Sequence, residues 1–232
     1  MSSAIEQERK EWQESWDSLL AFASQGPFSK EILKAKEIFF SKLGRAHEIS
    51  ENLYEIASHS FLEWYLFHYT TKAFNKTPAI TYITMALDSE VHLQCIGRSI
   101  FHHWSLFEVL SVGKSEILLQ DLLFSRKRRL FFDPSWPEYQ VWKVKEGQVI
   151  QARLFYYSSQ PASFLTHFWL HPHSERELLK KICQSRSKLW TLHEDFLLSS
   201  FETAVRTHEL EGQLKVSRAS NWNYRELMKK YA

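Results

Sequence analysis

Four polar side chains at steps of four, Glu51, Glu55, His59 and Glu63, run through the aromatic stretch ENLYEIASHSFLEWYLFHY, with His47 one step upstream. Residues four apart share one side of a helix, so neighbouring carboxylate and imidazole groups in such a row have the right types to hold a metal ion. The geometry argues against it. Each step of four drifts about 40° around the helix, so the row spirals and cannot converge on one ion. A second acidic helix with Glu-x-x-His spacing, which a carboxylate-bridged bundle site needs, is not in the chain. We therefore read the row as a partly exposed surface stripe with Glu55 paired to His59, the alternative being a groove for a partner at Glu55, His59, Glu63 and Trp64. Glu63, flanked by Phe61, Trp64, Tyr65 and Phe67, needs a cation if it is buried, and Arg98 and Arg153 are the expected partners.

The second set of chemistry-bearing residues is the run Arg126, Lys127, Arg128 and Arg129, between Phe124 and Leu130-Phe131-Phe132. It reads as the basic turn of a small sheet. Clustered cations beside aromatic rings can grip phosphates while the rings stack on bases. Lys143, Lys145 and Arg153 widen the patch if their strands face the same way. The histidines offer less. Adjacent residues on a helix point about 100° apart, so His102 and His103 are not expected to chelate together and read as packing or capping residues. His167, His171 and His173 lack a cysteine or acidic partner at ligand spacing. No glycine-rich phosphate loop, nucleophile elbow or zinc motif is present, so the sequence selects no catalytic residue, metal or cofactor.

These residues must be positioned by a chain of 232 residues, long enough for one large domain or two small ones. Its net charge of +2 does not suggest a general nucleic-acid binder, which is usually far more basic. Seventeen Phe, nine Tyr and nine Trp imply a core built on rings or a surface that uses some of them. Few Gly and Pro argue for long helices. Cys95 and Cys183 read as buried thiols in a reducing compartment. The charged N-terminus has no export signal and no apolar run approaches membrane length, so a cytoplasmic protein without membrane partners is expected.

Helical periodicity covers Ser2 to Ala23, ending at Gln25-Gly26-Pro27, then Ser29 to Leu43, then the aromatic helix from Ser50. Thr70 to Lys76 is a polar break. Thr77-Pro78 opens another helix, and Asp88 or Ser89 caps the next, which runs to about Trp104. The period then shortens. Strands are expected over Phe107–Val112, Glu116–Leu123, Leu130–Phe132, Tyr139–Val144, Gln148–Tyr157 and Phe164–Leu170, with a turn at Lys145-Glu146-Gly147. Ser174 and Glu177 form a capping box for a long C-terminal helix, followed by a basic tail from Leu214. The expected fold is α+β: an N-terminal helical bundle over 1–106, a small antiparallel β-barrel or curled sheet over 107–173, and a long helix with tail over 174–232 packed on the bundle.

The segments FLEWYLFHY, SLFEVLSV, LLQDLLF and KEGQVIQARLF together resemble a family of bacterial proteins in which a helical Phe-x-Glu-Trp-aromatic segment precedes a small β module. The matching positions are Phe61, Glu63, Trp64 and Tyr65, then Phe107, Glu108 and Val109, then Asp121-Leu122-Leu123, then Gly147 and Ala152-Arg153, within Lys34 to Leu170. Gln148 departs from the Gly-Asp turn usual there. The resemblance implies the fold and carries no activity. The functional expectation is a non-enzymatic binding or scaffold protein whose partner is a protein, a peptide or a second copy of itself. Nucleic-acid or nucleotide binding through the basic turn is the alternative, and an enzyme of unrecognised type a further one.

Overall fold

The computed structural model describes residues 2–42, 51–131, 144–156, 162–171, 176, 177, 179, 180 and 183. They fall into two compact units divided between His102 and His103, four residues before the expected boundary. The fold is α+β, with an N-terminal helical region and a small central sheet.

The helical unit contains α1 (Ser2–Ala23), α2 (Phe28–Lys42), α3 (Glu51–Phe67), α4 (Pro78–Met85) and α5 (Glu90–Ile100). Its stops and starts follow local chemistry. Gly26, with φ +53, takes the left-handed turn after α1 that a Cβ would strain. Thr77 caps α4 by accepting the Ile80 N–H, with Pro78 in the first helical position. Ser89 caps α5 by accepting the His92 N–H, while Asp88 takes the Ser89 N–H at 2.6 Å. The core is aromatic. Trp12 stacks on Trp16 at 5.4 Å, Trp16 meets Phe67 at 5.9 Å, and Phe39 packs on Phe61 and Trp64 at 5.7 and 5.5 Å. Trp16, Phe39, Phe61 and Tyr65 are fully buried. The aromatic excess of this unit thus goes largely into its interior, where each ring removes a large apolar area from water. Phe101 is an exception, lying exposed just after α5.

The sheet unit contains β1 (His103–Val112), β2 (Glu116–Asp121), β3 (Lys127–Phe131), β4 (Val149–Tyr156) and β5 (Ala162–Leu170). The strand order β1-β2-β3-β5-β4 closes on itself through the β1–β4 ladder. The expectation of an antiparallel sheet holds for β1–β2, β1–β4, β2–β3 and β4–β5. It needs correction at β3–β5, which is parallel, with Leu130↔Ala162 as its pair among the described residues. Two further corrections concern boundaries. The residues 103–106, expected to end a helix, are strand because they pair with β4 from Leu154 to Gln151. The basic run is strand as well, since Lys127, Arg128 and Arg129 pair with Gln120, Leu119 and Leu118.

The turn at Lys145-Glu146-Gly147 forms as expected, with Gly147 at φ +78. Of the expected 139–144 strand only Val144 is described, and it is not in a strand. Helix is seen at Arg176, Glu177, Leu179, Lys180 and Cys183, which group with the sheet unit and not with the bundle. The rest of the expected C-terminal helix, the Ser174 cap and the basic tail lie outside the described residues. Cys95 and Cys183 are buried free thiols. No described helix is long and apolar enough to cross a membrane.

Candidate functional site: the β2–β3 turn and its basic strand

Period-2 alternation sorts the side chains of the sheet. Ile117, Leu119 and Asp121 share the inward face of β2, and the register places Phe107 opposite Asp121 and Val109 opposite Leu119. Asp121 is completely buried and would be costly there without partners. It has several. Ser105 Oγ donates to Oδ1 at 2.7 Å, the N–H groups of Leu123 and Phe124 donate to the same oxygen at 3.0 and 3.1 Å, and His103 Nε2 donates to Oδ2. Burial pushes the Asp121 carboxyl up. The hydrogen bonds from His103 and Ser105, the charge of His103 and the Phe124 N–H outweigh it, so the group titrates below its ordinary value.

The chemistry open to this cluster follows from who donates to whom. A carboxylate can only accept, so Nε2 of His103 carries the proton and a neutral ring keeps its lone pair on Nδ1. His103 is partly exposed and sits edge-on to the Phe124 ring at 4.8 Å. Ser105 is buried with its hydrogen committed to Asp121, so serine, histidine and aspartate do not form a nucleophile–base–acid chain. Their common effect is mechanical. Asp121 ties down the turn after β2, Asp121 N–H donates to Arg126 O at 2.8 Å, and Ser125 is held at φ +55. The turn thereby fixes where β3 begins.

Along β3 the basic residues divide. Arg128 lies opposite Leu119 on the inward face and is half-buried, whereas Lys127 and Arg129 lie opposite Gln120 and Leu118 and are exposed, as is Arg126. Arg129 reaches Glu116 at 4.0 Å, both ends solvated. Lys145 is exposed in its turn, and Lys143 lies outside the described residues. Arg153 does not widen the patch: it is buried, with its guanidinium 3.9 Å over the Trp104 ring. The expected partner groove is not exposed at its described members either. His59, Glu63 and Trp64 are buried in the helical unit, and the Glu55 side chain lies outside the described residues. Arg98, one expected partner of Glu63, is exposed and donates to Cys95 Sγ at 3.3 Å.

The histidines are also sorted by contact. His171 is buried and donates through Nε2 to Gln151 Oε1 at 3.3 Å. The side chain of His167, within β5, and all of His173 lie outside the described residues. In the helical unit His92 Nδ1 lies 2.9 Å from Asp88 Oδ1, and Tyr82 donates to the other oxygen of Asp88. Burial, followed by these contacts with Asp88, raises the Tyr82 hydroxyl well above its ordinary value. Tyr69 donates to Glu31 Oε2 at 3.1 Å and is pushed up to about 12, by burial first and the Glu31 hydrogen bond second. Among the described residues no group of three or more His, Cys, Asp or Glu is placed to hold a metal.

Sequence reasoning missed Asp121 and Ser105 as site residues. The available signal was a single aspartate between two apolar pairs in LLQDLLF, an odd neighbour for a strand end unless its carboxylate is used. Comparison of the chain with protein-family models, curated proteins and solved structures finds no match.

Proposed function

We propose that the protein is a binding protein whose sheet unit takes an extended, acidic peptide segment of a protein partner along β3. The observation that carries this reading is the set of exposed cations at the start of β3, Arg126, Lys127 and Arg129. Asp121 and Arg126 form a hydrogen-bonded pair, so residues 126, 128 and 130 turn their backbone groups toward β2, and 127 and 129 turn theirs away. On that far side the described pair is Leu130↔Ala162, and residues 157–161, which precede β5, lie outside the described residues. A strand edge with backbone groups to offer is a template for strand addition. The exposed Arg126, Lys127 and Arg129 repel or fail to reward most strands, and they reward one that carries carboxylates. The same charges that keep the edge from aggregating therefore select its partner.

Nucleic acid is the competing occupant, and the described ring beside the cations, Phe124, weighs against it. Stacking needs open ring faces next to the cations. Phe124 is half-buried with His103 against it, and the side chains of Phe131 and Phe132 lie outside the described residues. The test is fluorescence anisotropy of the full chain with a labelled peptide of alternating Glu and Val. Binding is expected to weaken with salt, to fall at least roughly tenfold when Lys127→Glu and Arg129→Glu are combined, and to fall again when a central proline removes a backbone donor from the peptide. Equal binding of the proline peptide, or tighter binding of single-stranded RNA of the same charge, overturns the strand-addition reading.

A further inference from the structure

We propose that His68 and His102 form a two-histidine site for a divalent transition-metal ion of the copper, nickel and zinc group. The two residues follow the ends of α3 and α5, and their Nε2 atoms stand 3.1 Å apart. An ion bound at about 2.0–2.1 Å by each nitrogen separates them by about 2.9 Å at a right angle and about 3.4 Å at the tetrahedral angle. The observed spacing lies between these. The rings are nearly perpendicular, at 76°, with centroids 5.1 Å apart, so they do not stack.

The second observation is the partner of the other nitrogen. His102 Nδ1 lies 2.9 Å from the carbonyl oxygen of Ser99, which can only accept, so Nδ1 carries the proton and Nε2 presents its lone pair toward His68. A metal-binding histidine is characteristically held this way, with its outer N–H on a backbone carbonyl. Ser99 is itself fixed: its hydroxyl donates to Cys95 O at 2.9 Å and accepts Trp12 Nε1–H at 2.9 Å. Phe67 packs edge-on against the His102 ring at 5.1 Å. Half-buried imidazoles with one ring already oriented lose little freedom on binding an ion, and imidazole suits this group of metals. Without metal, His68 Nε2–H donates to His102. With metal, the His68 ring proton passes through solvent from Nε2 to Nδ1, so the ring stays neutral and offers its Nε2 lone pair to the ion, with water completing the coordination and the ion clipping the end of α3 to the end of α5. Acid reverses the exchange, because a protonated imidazole has no lone pair to give.

The experiment is calorimetric titration of the untagged full chain with Cu²⁺ near neutral pH. One strong equivalent is expected, weakened at least roughly tenfold by His68→Ala and by His102→Ala and unaffected by His92→Ala. Equal weakening by His92→Ala, or none by the other two, overturns the site. A measurement on the unsubstituted protein guards against variants that fail to fold: electron paramagnetic resonance of the one-equivalent complex should show coupling to two imidazole nitrogens. Coupling to fewer overturns the proposal.

Discussion

The two units hide polar groups from water by different means. In the helical unit several buried hydroxyls are satisfied within their own helix: Ser15 donates to Glu11 O, Ser58 to Tyr54 O and Thr81 to Thr77 O, each four residues back. In the sheet unit the buried polar side chains are satisfied across strands. Asp121 draws on β1 and on its own turn, Gln151 accepts from His171, and Arg153 lies on Trp104 of the neighbouring strand. A hydroxyl bonded back to its own helix can be lost without orphaning anything, because the carbonyl keeps its helical N–H. A carboxylate shared by four donors cannot.

This difference sets the order of three expected effects. Asp121→Ala should cost the sheet unit roughly 3–5 kcal/mol, the range for breaking a buried, hydrogen-bonded charge pair, read as loss of amide-exchange protection in β1 and β2. A cost no greater than that of a helical hydroxyl would erase the contrast. Acid should act on the same group with a defined sign. The folded-state value of Asp121 lies below its unfolded one, so its contribution is fully present above about pH 3.9 and is lost as pH falls below that toward the folded-state value. Urea unfolding at pH 5 and pH 3 should therefore show a larger loss in the native chain than in Asp121→Ala. The smallest effect is expected at Ser58→Ala, within about 1 kcal/mol, because the lost hydroxyl bond is partly offset by the better helix propensity of alanine. A larger loss would mean that Ser58 supports more than its own helix.

The same distinction explains what could be read from the chain. Caps are local, so Thr77-Pro78 and Ser89 announced α4 and α5, and Gly26 announced the end of α1. The strand Val149–Tyr156 was legible because its flanking turn and its β-forming residues are contiguous. The residues 103–106 were not. His103 and Trp104 continue an apolar helical pattern, and only pairing with residues some fifty positions away makes them strand. Lys127–Arg129 looked like a turn because charge clusters usually are, and a strand edge is where natural sheets tolerate such residues. Glu63 and His59 looked like a surface stripe by their spacing, yet the row turns inward with the rings around it. Asp121 was the least visible, since two of its four donors, His103 and Ser105, come from a strand some sixteen residues upstream.

The seam between β3 and β5 also bears on time. Leu130 and Ala162 are distant in the chain, whereas the β1–β2 and β2–β3 ladders join neighbouring segments. The entropy of closing the long connection must be met before pairing across the seam can return anything, so the hairpins form first and the seam closes late. An interaction absent from the rate-limiting step leaves the speed of folding alone and acts on the speed of escape from the folded state. Leu130↔Ala162 is thus less a contributor to how the sheet assembles than a latch on how long it lasts.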